Sequence, residues 1–308
     1  MNSTNSMDPT YRLGIDLGGT KIEAILLDPD GRSLLRERMA TPRDPDGPAE
    51  YEKIRDAVHA LTRSTLDKVP NGQGCTIGIG IPGTINDRSG RVQNANTTGL
   101  IGHPFQADLE RLLGRPIAME NDANCFTLAE ARDGAAKGYH LVFGIILGTG
   151  CGGGISIGGH IHTGRHRIGG EWGHFAVDPA GMRCYCGNRG CVETKISGGG
   201  VARSFFEHTG RRLTLEQITD GYRQGDAACT TAFEQFLDDF GRCLGGLISI
   251  LDPDAVVLGG GVSNIDELYT LGLKQVRRYA FHERVETPIL KHRLGDSAGV
   301  IGAAWIGK

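Results

Sequence analysis

No run of five or more basic residues occurs, and 33 lysines and arginines stand against 36 aspartates and glutamates, a formal net charge of −3. A surface that follows a phosphate backbone needs clustered positive charge, so no nucleic-acid partner is expected. Long hydrophobic runs are missing as well. Those at 141–147, 247–251 and 255–258 fall far short of the about 20 apolar residues of a membrane span. The first ten residues, MNSTNSMDPT, contain no apolar stretch of the kind a secretory signal carries. A cytoplasmic, soluble protein without membrane association is therefore expected. The loop GxxxxGK[ST] is also absent, which excludes a Walker-type nucleotide site.

Glycine is what the chain has in excess: 48 of its 308 residues, roughly twice average usage. Neither a period of three nor an enrichment in proline and serine accompanies it, so collagen and linker readings fail. The glycines gather at the ends of apolar runs, where a missing Cβ lets the backbone approach a ligand. With 39% apolar residues, a chain of this length can bury one large core or two ordinary ones.

Residues 11–28 alternate in polarity, break at a glycine pair and turn at PDGR, which predicts a β-hairpin with Asp16 and Thr20 at its bend. Ile54, Val58, Leu61 and Leu66 recur at helical spacing over 49–69. A buried strand is expected at 75–81, closed by Pro82 and Gly83. A helix over 105–113, a strand at 117–119 and a helix running from ENDAN (120–124) toward Lys137 follow. A long amphipathic helix is expected over 226–251, with Phe233, Phe236, Phe240, Leu244 and Ile248 on its stripe. Beyond it lie a strand at 255–258, a third glycine bend GGGVSN at 259–264, a helix opening near Ile265 and a terminal helix over 299–307.

The chain also begins a second time. LVFGIILGTGCGGGISIGGH at 141–160 lies over 11–30 at a constant offset of 130, matching Gly14 to Gly144, Ile15 to Ile145, Gly18 to Gly148 and Ile25 to Ile155. A duplicated α/β domain follows, two halves facing one another across a cleft, each offering a glycine-rich bend.

The bend Asp16-Leu-Gly-Gly-Thr-Lys21 bares backbone N–H groups beside a carboxylate. That suits a phosphate and its Mg²⁺ equally with an ordinary tight turn. GTGCGG at 148–153 fits G-x-G-x-x-G, but the sequence after it alternates like a strand where a dinucleotide fold needs a helix. It is read as a phosphate-cradling bend. His174, Cys184, Cys186 and Cys191 form H-x₉-C-x-C-x₄-C, three thiolates and an imidazole suited to a closed, structural Zn²⁺ site. Cys75, Cys125, Cys151, Cys229 and Cys243 read as small core residues. Glu171 and Glu193 flank the metal segment. Each by itself is an ordinary exposed glutamate, but a pinned loop would aim both at the hydroxyls of a polyol. Asn121 and Asp122 lie where a strand gives way to a helix. From spacing, Asp122 is a helix cap before it is a general base.

These segments together resemble the ROK family of bacterial sugar kinases, over about residues 11–307. IDLGGTK, GIGIPG, ENDAN, LGTGCGGG, GGEWGH, CYCGNRGCVE and LGGG occur in family order. TPRD at 41–44, NANTTG at 94–99, GHPF at 102–105 and GDSAGVIGAAW at 295–305 look most like the manno/fructokinase branch. The resemblance implies an actin-like, ribonuclease H-like duplicated α/β fold with two lobes around a cleft. It divides the chain into a disordered stretch at 1–10, a small lobe of 11–119 plus 295–308, and a large lobe of 120–294 with the zinc loop and the interface of a homodimer. It makes Asp122 the catalytic base, against the capping preference. Gly83, Asn96, Asn121, Asp122, Glu171, His174 and Glu193 become sugar contacts, His174 holding zinc through one ring nitrogen and facing the sugar with the other. Asp16, Gly18, Gly19, Thr20, Lys21, Gly148, Thr149, Gly150, Cys151 and Gly152 would hold ATP phosphates and Mg²⁺, and Gly259, Gly260 and Gly261 would lie near the adenosine. The implied activity is ATP-dependent phosphorylation of a hexose 6-hydroxyl, fructose first. Glucokinase and N-acetylglucosamine or N-acetylmannosamine kinase are the alternatives within the family, and a non-catalytic sugar sensor is the alternative outside enzymes. The family's repressors carry an N-terminal winged helix, for which the stretch before the first strand is too short.

Overall fold

The computed structural model describes residues 10–44, 49–71 and 73–307. The chain divides into two compact units. The first contains the described residues through Ala129, the stretch Thr163–Gly169 and the segment from Ser297. The second contains Glu130–His162 and Gly170–Asp296.

In the first unit the alternating segment forms a hairpin of β1 (Thr10–Leu17) and β2 (Lys21–Leu27). Leu13, Ile15 and Leu17 from β1 and Ile22, Ala24 and Leu26 from β2 are buried on one face. β3 (Ser33–Ala40) extends the hairpin at the sheet edge, where nearly every side chain is exposed or half-exposed. Its sequence SLLRERMA offers no buried alternation, which is why the pattern did not announce it. After α1 (Glu50–Leu66), the strand β4 (Gly74–Ile81) pairs with β1 in parallel. A small hairpin of β5 (Thr84–Ile85) and β6 (Val92–Gln93) and the helix α2 (Phe105–Leu113) precede β7 (Ala118–Asn121), and the sheet order is β3-β2-β1-β4-β7. Tyr51, Ile54 and Val58 of α1 and Phe105 and Leu109 of α2 close the core over Leu13, Ile15, Ile77 and Ile79. The helix α3 (Asp122–Arg132) follows directly.

The second unit repeats the plan with β8 (Leu141–Leu147), β9 (Cys151–Ile157), β10 (His160–Ile161), β11 (Ala255–Gly259) and β12 (Ile289–Lys291), in the order β10-β9-β8-β11-β12. Antiparallel and parallel neighbours fall at the same places as in the first sheet. The sequence offset needs one correction. Gly14 pairs with Ile25, whereas Gly144 pairs with Gly154, so the second bend is one residue shorter and the offset drops from 130 to 129 across it. The equivalents of Ile22 and Leu26 are therefore Cys151 and Ile155, and all four lie toward their cores. A strand repeats every two residues, so an uncorrected slip would have turned β9 inside out.

Between β10 and β11 run α4 (Val192–Ile196), α5 (Gly198–Thr209), α6 (Leu215–Arg223) and α7 (Ala227–Leu251). Asp226 caps α7 by accepting the Cys229 N–H at 2.9 Å, and Phe233, Phe236, Phe240 and Leu244 fill the core as their spacing predicted. No α-helix opens near Ile265. Ser263 Oγ donates to the Gly260 carbonyl at 2.6 Å and Tyr269 Oη to the Ser263 carbonyl at 2.7 Å, and the chain makes two 3₁₀ turns, 261–264 and 266–269. The helix starts later, as α8 (Leu271–Tyr279).

The last helix, α9 (Ala298–Ile306), belongs to the first unit. It packs where Gly14 and Gly78 stand opposite one another on β1 and β4. A Cβ on Gly14 would lie 2.2 Å from the Val300 carbonyl oxygen, and one on Gly78 1.9 Å from that of Ala303. The helix backbone thus rests directly on the sheet. The expected break after residue 119 falls later, after 129, because β7 pairs through Asn121 with Ile81 and Gly302 meets the backbone of Cys125, tying the start of α3 to this unit. The return falls at 296/297 in place of 294/295. Of the stretch expected to be disordered, residues 1–9 lie outside the described residues and Thr10 opens β1. Among the described residues no helix is long and apolar enough to cross a membrane. Gly78→Ala is expected to cost about 3 kcal/mol, the upper end of ordinary overpacking, because backbone cannot rotate away as a side chain would. Chemical denaturation of the variant against wild type reads this directly.

Candidate active site

At the end of β1, Asp16 is packed among glycines. A Cβ on Gly299, in the first turn of α9, would lie 2.8 Å from its Oδ2, and one on Gly80 3.5 Å from its Oδ1. Burial raises the Asp16 carboxyl from its ordinary 3.8 to about 7; the negative charges of Asp122 and then Glu23 push the same way, and Lys21 opposes them. A carboxylate so held gains from any cation brought to it, which suits the expected Mg²⁺. Lys21 is turned away from the bend, its Nζ 3.7 Å from the buried Glu23 carboxylate, which Arg36 and Arg38 also hold. Gly18 N–H closes the bend onto the Lys21 carbonyl at 2.9 Å, and Gly19 and Thr20 lie beside it.

The strand-to-helix corner at the end of β7 brings the expected sugar contacts of this unit together. Asn121, not Asp122, supplies the cap: its Oδ1 accepts the N–H groups of Ala123 at 2.9 Å and Asn124 at 3.3 Å. Its Nδ2 donates to the Gly83 carbonyl at 3.3 Å, and Asn96 N–H donates to the neighbouring Pro82 carbonyl at 3.1 Å. Asp122 Oδ1 accepts the Ala123 N–H at 2.8 Å. The carboxylate of Asp122 is half-buried at the first residue of α3, in the electrostatic reach of Asp16.

In the second unit a cavity of about 700 Å³ is lined by Gly148, Thr149, Gly198, Gly199, Gly261 and Asn264, with α6 residues Glu216, Thr219, Asp220 and Arg223 along its side. The bend and the start of α5 are joined: Gly198 N–H donates to the Gly148 carbonyl at 2.8 Å and Gly199 N–H to that of Thr149 at 3.2 Å. A Cβ on Gly148 or Gly261 would meet nothing within 4 Å, so bare backbone faces open space at both, whereas Gly260, at φ +78°, would strike the Leu147 carbonyl. Gly148, Thr149 and Gly261 were expected here. The α5 and α6 residues were not, although the glycine run at 198–200 is plain in the sequence. Gly150 and Cys151 serve a different partner, Glu193, whose Oε2 accepts the Cys151 N–H at 3.0 Å and would be 2.7 Å from a Cβ on Gly150.

His174, Cys184, Cys186 and Cys191 converge, their ligand atoms within 4.8 Å of one another. The Sγ of Cys184 is 3.6 Å from His174 Nδ1, and Cys186 Sγ is 3.6 Å from Cys191 Sγ. Burial, then hydrogen bonds that the protonated thiol makes to Cys186 and Cys184, raise Cys191 to about 12. Three crowded thiols and an imidazole fit one tetrahedral soft-ligand cation that replaces their protons. The second ring nitrogen of His174, expected to face a sugar, lies 3.0 Å from the Tyr185 hydroxyl, a partner the sequence reading passed over. Glu171 belongs to this neighbourhood. Burial raises its carboxyl, His174 lowers it and Glu193 raises it again.

Twin sheets of one topology, each with a glycine bend, define a duplicated α/β protein of the actin-like class. The chain belongs to the ROK family, whose model matches residues 12–308. It is 40% identical over 306 residues to an N-acetyl-D-glucosamine kinase of Yersinia pseudotuberculosis, covering 95% of this chain and 97% of that protein. A ROK hexokinase from Thermus thermophilus superposes with a TM-score of 0.83 at 33% identity, over 96% of this chain and 97% of that one. A ROK family glucokinase from Streptomyces griseus, solved in complex with glucose and AMPPNP, superposes at 0.77 and 32% identity, over 96% and 99%. The leaning toward the fructokinase branch is corrected here, since N-acetyl-D-glucosamine kinases stand among the relatives at this level of identity.

Two outcomes follow from the site. The folded-state pKa of Asp16 lies above its unfolded value. As pH rises from about 4 through 7, the unfolded chain gives up this proton first and the folded state loses stability. Asp16→Asn removes that cost, so its melting temperature, measured without magnesium, is expected to exceed that of wild type at pH 8, with the gap closing toward pH 4, while turnover falls. Elemental analysis of the purified protein is expected to give about one zinc per chain, and Cys191→Ser to lower both the zinc content and the melting temperature.

Proposed function

We propose that this ROK family member is an ATP-dependent sugar kinase that phosphorylates the 6-hydroxyl of N-acetyl-D-glucosamine. The observation that carries the chemistry is the half-buried Asp122 at the start of α3, beside Asn121, which supplies the helix cap and leaves Asp122 to serve as a base. The sugar rests on the relatives: those at 38–40% identity over nearly the whole chain are N-acetyl-D-glucosamine kinases. Fructose, the first expectation, gives way to it, because N-acetyl-D-glucosamine kinases stand among the relatives at this identity.

In this reading Asp122 accepts the proton of the sugar hydroxyl as its oxygen attacks the γ-phosphorus of ATP in line. The cavity walled by Gly148, Thr149, Gly198 and Gly261 takes the nucleotide, the bare backbone N–H groups facing its phosphates. Gly83, Asn96, Asn121, Glu171, His174 and Glu193 hold the sugar. Glu193 holds the Cys151 N–H as well, which keeps the carboxylate oriented. A magnesium ion held through Asp16 would supply charge neutralisation on the transferring phosphoryl group. Zinc on its four ligands would supply rigidity to the loop carrying Glu171 and Glu193, having no open position for Lewis-acid chemistry. A homodimer belongs to the same proposal.

ADP release, coupled to a spectrophotometric readout, tests the reading against N-acetylglucosamine, N-acetylmannosamine, glucose, mannose and fructose. A kcat/KM for N-acetylglucosamine at least tenfold above the rest is expected. Fructose leading the series would restore the fructokinase reading, and no turnover on any sugar would favour a sensor. Asp122→Asn is expected to lose about 10³-fold in kcat, within the range a general base contributes, while sugar binding measured by calorimetry stays near that of wild type.

A further inference from the structure

The loop Thr163–Gly169 packs in the first unit. It is pinched shut by Gly169 N–H donating to the Thr163 carbonyl at 2.9 Å. At its turn Arg167 adopts φ +55°, a left-handed conformation that a long L side chain rarely takes, and one worth reading as a sign of function where surrounding contacts enforce it. The contacts are there. Arg167 Nη2 donates to Glu120 Oε2 at 3.2 Å and to the Met119 carbonyl at 3.3 Å, while its Nε lies 3.7 Å from Asp87 Oδ1. Glu120 itself is buried. Its other oxygen, Oε1, accepts the Asn121 backbone N–H at 2.9 Å and the Asn124 side-chain amide at 3.1 Å.

From these distances we infer that Arg167 is a positioning residue for Asp122, acting through Glu120. The inference rests on the kinase reading above and adds to it a residue that no spacing in the sequence singles out. Glu120 spends one oxygen on the guanidinium and the other on the residues before and after Asp122, so the position of the carboxylate at one end fixes the first turn of α3 at the other. A buried carboxylate is kept ionised and oriented by such a charged, directional partner. Without it, Glu120 is free to turn, and the oxygen that accepts from Asn121 N–H loses its alignment. Neither the second-unit cavity proposed for the nucleotide nor the bend at Asp16 takes part in this chain of contacts. The defect therefore belongs in the chemical step.

The test compares Arg167→Met, Arg167→Lys and Glu120→Gln, singly and with Met and Gln combined, against wild type. Arg167→Met is expected to lower kcat about 30-fold or more with the KM for ATP within twofold. Arg167→Lys, which keeps the charge and loses the fork, is expected to regain several-fold of that loss. The double variant is expected to be no worse than the poorer single one, as two residues acting through one contact chain require. A kcat within threefold of wild type, a loss appearing wholly in the sugar KM, or additive single effects would each overturn the inference. Amide hydrogen exchange across residues 120–126 gives a readout without turnover: faster exchange in Arg167→Met than in wild type is expected, and unchanged exchange would sink the proposal. Wild-type protein inert toward every sugar would instead defeat the kinase reading, with the exchange measurement still deciding what Arg167 holds in place.

Discussion

Backbone against backbone, where α9 lies on Gly14 and Gly78, is the contact on which the first unit's chemistry depends. A helix that rests on side chains stands well off a sheet; here it comes down onto the strands themselves. That brings its first turn to Asp16, with Gly299 close enough to touch the carboxylate. The N-terminal end of a helix carries partial positive charge, so the approach offsets part of the cost of burying an acid beside Asp122 and Glu23. The small residues of α9, Gly299, Gly302, Ala303 and Ala304, are a condition of that arrangement, since a larger side chain toward the sheet would lift the helix and take its dipole away.

Much of this was legible in the sequence because period and punctuation carry it. The hairpin over β1 and β2, α2 at 105–113, α7 with its apolar stripe and the terminal helix all announce themselves through spacing and glycine. The convergence of His174, Cys184, Cys186 and Cys191 did so as well, since a set of soft ligands leaves a short, local signature. What was not legible had non-local causes. β3 is an edge strand whose side chains face outward, so no burial pattern writes it into the sequence. The helix expected near Ile265 lost to Ser263 and Tyr269, whose hydroxyls take carbonyls that neighbouring residues would otherwise use. The domain boundary moved because Gly302, nearly two hundred residues away in sequence, packs on Cys125.

The same division runs through the site. Gly148, Thr149 and Gly261, singled out by their glycine bends, line the cavity, but much of the remaining wall comes from α5 and α6, two helices that no reading of the sequence brought to a ligand. Glu171 and Glu193 looked like exposed glutamates; burial and mutual repulsion are tertiary facts. Sugar identity was the least legible of all. It depends on room for an acetamido group and a partner for its amide, and neither volume nor pairing is written in a motif. Asn121 and Asp122 show the converse: spacing put the cap on Asp122, and the hydrogen bonds put it one position earlier, on Asn121.

The missing residue in the second glycine bend has a consequence for the history of the chain. Two halves that arose by copying begin as interchangeable, and recombination between them would at first have restored an intact gene. Once the second bend closed one residue sooner than the first, a crossover upstream of the bend and one downstream of it ceased to be equivalent. A recombinant joined at the offset of 130 beyond the bend would present the alternate face of β2 or β9 to its core, and only one joined at 129 would keep it.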